Sequence, residues 1–338
     1  MARISYRNKI RLKKLLRALL ILAGCLLVVS IVMTIYLEPY ILYDREGAHL
    51  SLSQETVEAT IPAESQIRPV VENPQIVYSQ GAPVEKSIQE MGGYYITTAM
   101  LQKPEAVFEE IKAIQEPCAV MIQLKSIFGN FYYSSSIAGA PKADVAVSVI
   151  DEMISYLSDN GFYLVAEIPA FSDPVFALDH QSCGLPLSSG ALWMDENGCY
   201  WLDPANENVQ SFLLQIAREL ANRGFHEIAF SHFRFPDTTN ISYSSEKSKE
   251  DIIAGAATQL TSFFANSSTV LSFVTDEEDF PVSSCTGRIY INDVAGSRVE
   301  HYVQLYSEPQ TLREIVFITN SRDTRFEEQA VLRPLIAD

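Results

Sequence analysis

Asp144 to Ile168 reads DVAVSVIDEMISYLSDNGFYLVAEI, and this stretch decides the fold class. Val147, Ile150, Met153, Ile154 and Leu157 recur at helical spacing, laying an apolar face along one element. Asn160-Gly161 suits the end of that helix. Phe162 to Ile168 (FYLVAEI) then runs nearly without a polar break, as a strand buried on both faces does.

The same alternation extends outward on both sides. Upstream, Tyr94 to Thr98 and Ala119 to Leu124 read as strands, with helical spacing from Pro104 to Ile114 between them. Downstream, Val209 to Leu220 is an amphipathic helix, His226 to Phe230 a fourth strand, Ser248 to Phe264 a helix and Thr269 to Val274 a fifth strand. Arg288 to Ile291, His301 to Tyr306 and Glu314 to Thr319 complete a set of eight strand candidates. Apolar strands separated by amphipathic helices require a sheet covered by helices. Eight of them within residues 91–325 predict an α/β fold, a (β/α)8 TIM-like barrel, with an open doubly wound sheet as the rival. Residues 326–338 read as a C-terminal tail.

Composition narrows the function classes. Apolar residues make up 47% of the 338 and charged residues 20%, which excludes a disordered chain. The net charge of −17 lacks the basic footprint that nucleic acid demands. No G-x-G-x-x-G follows the first strand and no phosphate-binding P-loop occurs, so no nucleotide cofactor is implied. No His/Cys cluster has metal-ligand spacing. Asp276-Glu277-Glu278-Asp279 lacks the spacing of a calcium loop and reads as a solvated turn.

The N-terminus predicts an anchor. Residues 1–17 hold seven basic side chains and no acid, and Ala18 to Leu37 follows without a charge. Twenty helical residues rise roughly 30 Å, the thickness of a bilayer core. The expectation is a basic cytoplasmic tail (1–17), a transmembrane helix (18–37) and an extended, proline-interrupted stalk (38–90) carrying the barrel outside the cell membrane. A cleaved signal peptide and a lipoprotein box at Leu22 to Cys25 are the alternatives. Four cysteines lie beyond the span. Cys183 with Cys199 is the first pairing to consider for a disulfide, against buried free thiols.

Three ordered motifs carry a family resemblance. Phe162 to Pro174 (FYLVAEIPAFSDP), Trp201 to Pro204 (WLDP) and Gly224 to Pro236 (GFHEIAFSHFRFP) resemble motifs of a bacterial family of glycosyl-hydrolase-like barrels of unassigned function. The resemblance implies a TIM-like barrel acting on O-glycosyl bonds. It also exposes departures. Where the family reads like D-V-K-D-x-x-G, this chain has Gln123-Leu124-Lys125-Ser126-Ile127-Phe128-Gly129, and the family aspartate of the last motif is Ser231. Glu167 stands where the family often has arginine.

Glycoside hydrolysis ordinarily uses two carboxyl groups, and barrel sites lie at the C-terminal ends of the strands. Alternation puts Glu167 on the same side as Val165 and Tyr163, toward that mouth, so Glu167 with Asp276 or Glu277 forms the candidate relocated catalytic pair. The plainer expectation is that Glu167 pairs with Lys125 or Arg234. Candidate ligand contacts are Lys125, Asp173, Trp193, Trp201, Asp203, Ser231, His232, Arg234 and Tyr306, a mixture of aromatic planes and hydrogen-bonding groups suited to sugars. Three readings follow: a catalytically degenerate barrel binding cell-envelope carbohydrate or a protein partner, an active hydrolase with relocated acids, or a structural envelope protein with a vestigial groove.

Overall fold

The computed structural model describes residues 41–44, 47–50, 91–275, 280, 287–306 and 315–336. The chain divides into two units, Met1–Tyr78 and Ser79–Asp338. In the first, a hairpin pairs Ile41–Asp44 with Gly47–Leu50 antiparallel, within the stretch expected to be an extended stalk.

The second unit is a closed barrel of eight parallel strands. They are β1 (Gly92–Ile96), β2 (Ala119–Gln123), β3 (Tyr163–Pro169), β4 (Glu227–Ser231), β5 (Val270–Thr275), β6 (Ile289–Asn292), β7 (Ile315–Ile318) and β8 (Ala330–Pro334). Each pairs with the next, and β8 returns to β1. Helices α1 (Pro104–Lys112), α2 (Val147–Asp159), α3 (Pro174–Asp179), α4 (Glu207–Asn222), α5 (Lys249–Phe263) and α6 (Val299–Tyr306) lie in the connections. Two of them start under short polar caps: Asn206 accepts from Asn208 N before α4, and Ser248 accepts from Asp251 N before α5.

Strand alternation separates two apolar layers. Tyr95, Met121, Val165, Ala229, Val274, Tyr290, Val316 and Leu332 fill the barrel interior. Residues one position away, among them Ile122, Leu164, Ile228 and Phe273, pack beneath the helices. Gly93 is required at the β1–β2 contact, because a β-carbon there would come within 1.9 Å of the Ala119 carbonyl oxygen.

Several expectations are corrected. A membrane span needs about 20 apolar helical residues, whereas the longest described helix, α4, has 16 and presents a polar face. Among the described residues no helix is long and apolar enough to cross a membrane. The transmembrane component of the fold, the membrane partner and the single-pass localisation are therefore not carried forward. The Ala18 to Leu37 run itself lies outside the described residues. His301 to Tyr306, read as a strand, belongs to α6, where Val299, Tyr302 and Tyr306 are buried at helical intervals. The eighth strand is instead Ala330–Pro334, inside the stretch read as a tail. Cys183 and Cys199 are free thiols.

The loop after β2 is held from outside the barrel by Glu219 of α4. Its carboxylate accepts from Tyr133 Oη (2.9 Å), Ser135 Oγ (2.6 Å), Ser136 Oγ (2.7 Å) and the Ser136 amide. Beside it, Arg223 pairs with Asp151 at 3.1 Å and donates to the Ser134 carbonyl. Burial pushes the Glu219 carboxyl up, and the hydrogen bonds from Ser135, Ser136 and Tyr133 outweigh it, so its folded-state pKa lies below the ordinary value. A depressed carboxyl contributes stability above its unfolded pKa and loses it as pH falls through the folded value. Glu219→Gln is expected to cost about 1–2 kcal/mol at pH 7, allowing for solvent screening. The deficit should shrink as pH falls below the ordinary carboxyl range, read from urea unfolding at pH 7 and at successively lower pH.

Candidate functional site at the barrel mouth

The C-terminal ends of β1 to β4 bring four polar side chains together inside the barrel. Register pairs Gln123 of β2 directly with Glu167 of β3, and Pro169 with Ser231 of β4. Tyr95 Oη donates to Glu167 Oε2 at 2.5 Å, and Gln123 Nε2 donates to Glu167 Oε1 at 3.2 Å. Gln123 Nε2 also reaches Tyr95 Oη, while its carbonyl accepts from the Thr98 amide at 2.9 Å. The amide orientation is thereby fixed.

Glu167 is buried at 4% exposure. Burial raises its pKa above the ordinary carboxyl value, against the opposing hydrogen bonds from Tyr95, Ser231 and Gln123. The group is biased toward the neutral acid. The same burial, with the Glu167 charge, pushes the Tyr95 phenol up as well.

His232 follows Ser231 with φ +52°, a left-handed conformation unusual for a residue with a β-carbon. Its Nδ1 lies 3.4 Å from Ser231 Oγ, and its ring sits 6.0 Å from the Trp201 ring. Arg234 crosses the Trp201 ring at 5.6 Å. Trp201 is itself buried and donates through Nε1 to Asp195 at 2.9 Å, so it is a fixed platform.

Lys125 and Asp173 do not join this cup. They form a buried ion pair of 2.9 Å, with Lys125 also 3.4 Å from the Pro169 carbonyl. Asp173 additionally caps α3 by accepting from Phe176 N at 2.8 Å. Gly129 packs against it with φ +84°, where a β-carbon would fall 2.5 Å from Asp173 Oδ1. The lysine and glycine of the family-like loop thus have a structural reason to be there. Glu167 therefore pairs with Tyr95 and Gln123 rather than with Lys125.

Of the remaining candidates, Asp203 is half-buried, accepting from Tyr243 Oη and Ala205 N, both at 2.9 Å. Tyr306 is buried in the outer core and stacked on Tyr302. Trp193 is half-buried against the same core. Asp276 and Glu277 lie outside the described residues. Sequence reasoning missed Tyr95. Its position two residues before Thr97 on the inward side of β1 was the available signal, but only its strand propensity was read.

A second polar cluster occupies the opposite, N-terminal end of the barrel. Glu227 Oε1 accepts from Tyr290 Oη at 3.0 Å and from Ser272 Oγ, and Oε2 accepts from Arg288 (2.6 Å) and Tyr163 Oη (2.9 Å). Every acceptor site of this fully buried carboxylate is used.

A closed parallel barrel with a sequestered carboxyl group at its C-terminal mouth is the architecture of barrel glycosidases and their non-catalytic relatives. The chain belongs to the family described as "Putative glycosyl hydrolase domain", which matches residues 93–277. Within it this chain is divergent, with Gln123, Ser126 and Ser231 at positions where acids are expected. Among solved structures it is similar to the exo-β-N-acetylglucosaminidase of Vibrio harveyi, at 8% identity and TM-score 0.51 over 69% of this chain and 41% of that one. It is also similar to the α-galactosidase of Lactobacillus brevis, at 10% identity and TM-score 0.50 over 73% and 38%. A hypothetical protein of Ruminiclostridium thermocellum is 24% identical, with TM-score 0.47 over 54% of this chain and 96% of that one. The chain spans about two fifths of the two enzymes, and these likenesses speak to the fold alone. No curated protein matches.

Proposed function

We propose that the barrel mouth binds a saccharide without hydrolysing it. The observation that carries this reading is the fixed cup around Glu167, in which Gln123 and Ser231 stand where the family has acids. A two-carboxylate mechanism needs a second ionised group about 5–9.5 Å from the first. Of the acids at this end, Asp173 is engaged by Lys125 and Asp203 by Tyr243, while Asp293 follows the end of β6 exposed. Hydrogen-bonding side chains (Ser231, His232), with Arg234 over the Trp201 ring beside them, suit sugar hydroxyls.

The strained His232 provides the test. Strain in a left-handed non-glycine residue persists at sites where the side chain has a use. Full-length protein is titrated with maltotetraose, cellotetraose and the N-acetylglucosamine tetramer, following tryptophan fluorescence. Saturable binding of at least one sugar is expected. His232→Gly should weaken it roughly tenfold while leaving the unfolding midpoint unchanged or raised, because glycine accepts this backbone conformation. Absence of binding to all three, or identical binding by the folded variant, contradicts the reading.

One observation favours a second reading, an active hydrolase. A carboxyl whose pKa is raised by burial is what a general acid requires. Glu167 would then act with Asp276 or Glu277 as the relocated partner.

A further inference from the structure

A cleft of about 390 Å3 opens on the flank of the barrel, between the loop after β2 and helices α3 and α4. Its volume falls within the range of small-molecule sites, roughly 300–1,000 Å3. The two long walls differ in chemistry. One is apolar, formed by Ile137, Ala140 and Pro141. The other is a row of neutral hydrogen-bonding side chains, Asn208, Ser211 and Gln215, spaced three and four apart so that they share one exposed face of α4. The end is closed by a three-ring stack in which Phe176 lies between Phe212 (4.2 Å) and His180 (4.4 Å), leaving the outer face of the exposed His180 ring uncovered.

Charge restricts the occupant. No lysine or arginine lines the cleft, and of its two acids Asp173 is tied up by Lys125, leaving Asp179. An anionic ligand would find no counter-charge on a chain whose net charge is −17. A purely apolar ligand would strip water from the amide row without replacing its hydrogen bonds. A pyranose chain presents C–H faces on one side and hydroxyls on the other, matching both walls.

The apolar wall is also held in place before any ligand arrives. It continues directly from Tyr133 to Ser136, which Glu219 clamps with four hydrogen bonds, and Arg223 braces Ser134. A pre-ordered wall reduces the entropy lost on binding.

We propose that this flank cleft is a second binding site, for a neutral saccharide, separate from the barrel mouth. It does not rest on the mouth reading, since no mouth residue lines it. The experiment titrates full-length protein with maltotetraose, cellotetraose and the N-acetylglucosamine tetramer by calorimetry, with the His180 ring signals followed by NMR. Saturation by one of these sugars should shift the His180 signals. Ser211→Trp, placed on an exposed helix position, should fill the cleft and abolish the shift. Asn208→Ala with Gln215→Ala should weaken binding at least tenfold, and His232→Gly should leave the His180 response unchanged. Loss of the response in His232→Gly alone would place the sugar in the mouth and overturn the second site. So would an unchanged response in a folded Ser211→Trp variant, or no His180 shift with any of the three sugars.

Discussion

Glu227→Ala is expected to lower the unfolding midpoint of the full chain by roughly 6–20 °C, followed by circular dichroism. Glu227 is fully buried at the N-terminal end of the barrel and satisfies Arg288, Tyr163, Tyr290 and Ser272 at once. Truncation leaves a guanidinium whose side chain is 15% exposed facing a low-dielectric interior. Removing one partner of a buried pair costs about 3–5 kcal/mol, and a domain of this size loses about 2–4 °C per kcal/mol. The cost does not arise from the carboxylate as such. Replacing the whole cluster with well-packed apolar groups would avoid it, because the penalty belongs to buried donors deprived of their carboxylate acceptor. A midpoint shift below about 2 °C would contradict a structural role for the Glu227 carboxylate.

Lys125→Met should destabilise by a comparable amount, about 3–5 kcal/mol, and for the same reason. Both side chains of the Lys125–Asp173 pair are essentially inaccessible, at 0% and 2%. This pair permits a cleaner separation of causes. Asp173→Asn retains the cap on α3, since asparagine is as good a capping residue as aspartate, while removing the charge. The double variant Lys125→Met with Asp173→Asn should therefore recover more than about 2 kcal/mol relative to the sum of the single changes, read from urea unfolding. Additive effects would mean that the ion pair contributes no coupling and that the lysine serves only to fill space.

The barrel was legible where strands are long and apolar. FYLVAEI and the helices around it announce a buried parallel strand, and the strands from Gly92 to Thr275 match their expected positions within a residue or two at most ends. Arg288 to Ile291 and Glu314 to Thr319 also match β6 and β7 within a residue. The misreadings are confined to His301 to Tyr306 and Ala330–Pro334. His301 to Tyr306 is rich in aromatic and branched residues like a strand, yet its buried tyrosines are four apart. Ala330–Pro334 contains an arginine and a proline, which pattern reading assigns to a tail, although a strand that closes a barrel needs only its inward Leu332 and Ala330 to be apolar.

Glu167 could be placed at the mouth by alternation alone. Its partners could not. The Tyr95 and Gln123 contacts depend on inter-strand register, which pairs Gln123 with Glu167 and which no single strand encodes. Lys125, the charge partner the sequence suggests, lies two residues beyond Gln123 and is captured by Asp173, which enters from the loop after β3.

Turnover decides whether the mouth binds or cleaves. Full-length protein and its Glu167→Gln variant are incubated with the three tetrasaccharides and with aryl α- and β-glycosides, and products are measured by mass spectrometry. Glutamine preserves the acceptor for Gln123 but takes away the acceptor of the Tyr95 hydroxyl, so the variant should lose about 1–3 kcal/mol, and its folding is confirmed by circular dichroism before turnover is read. The expected result is saccharide binding by both proteins with no product from either above the uncatalysed background. Product formed by the natural sequence and lost in Glu167→Gln would contradict a binding-only mouth and identify Glu167 as the acid of a working hydrolase.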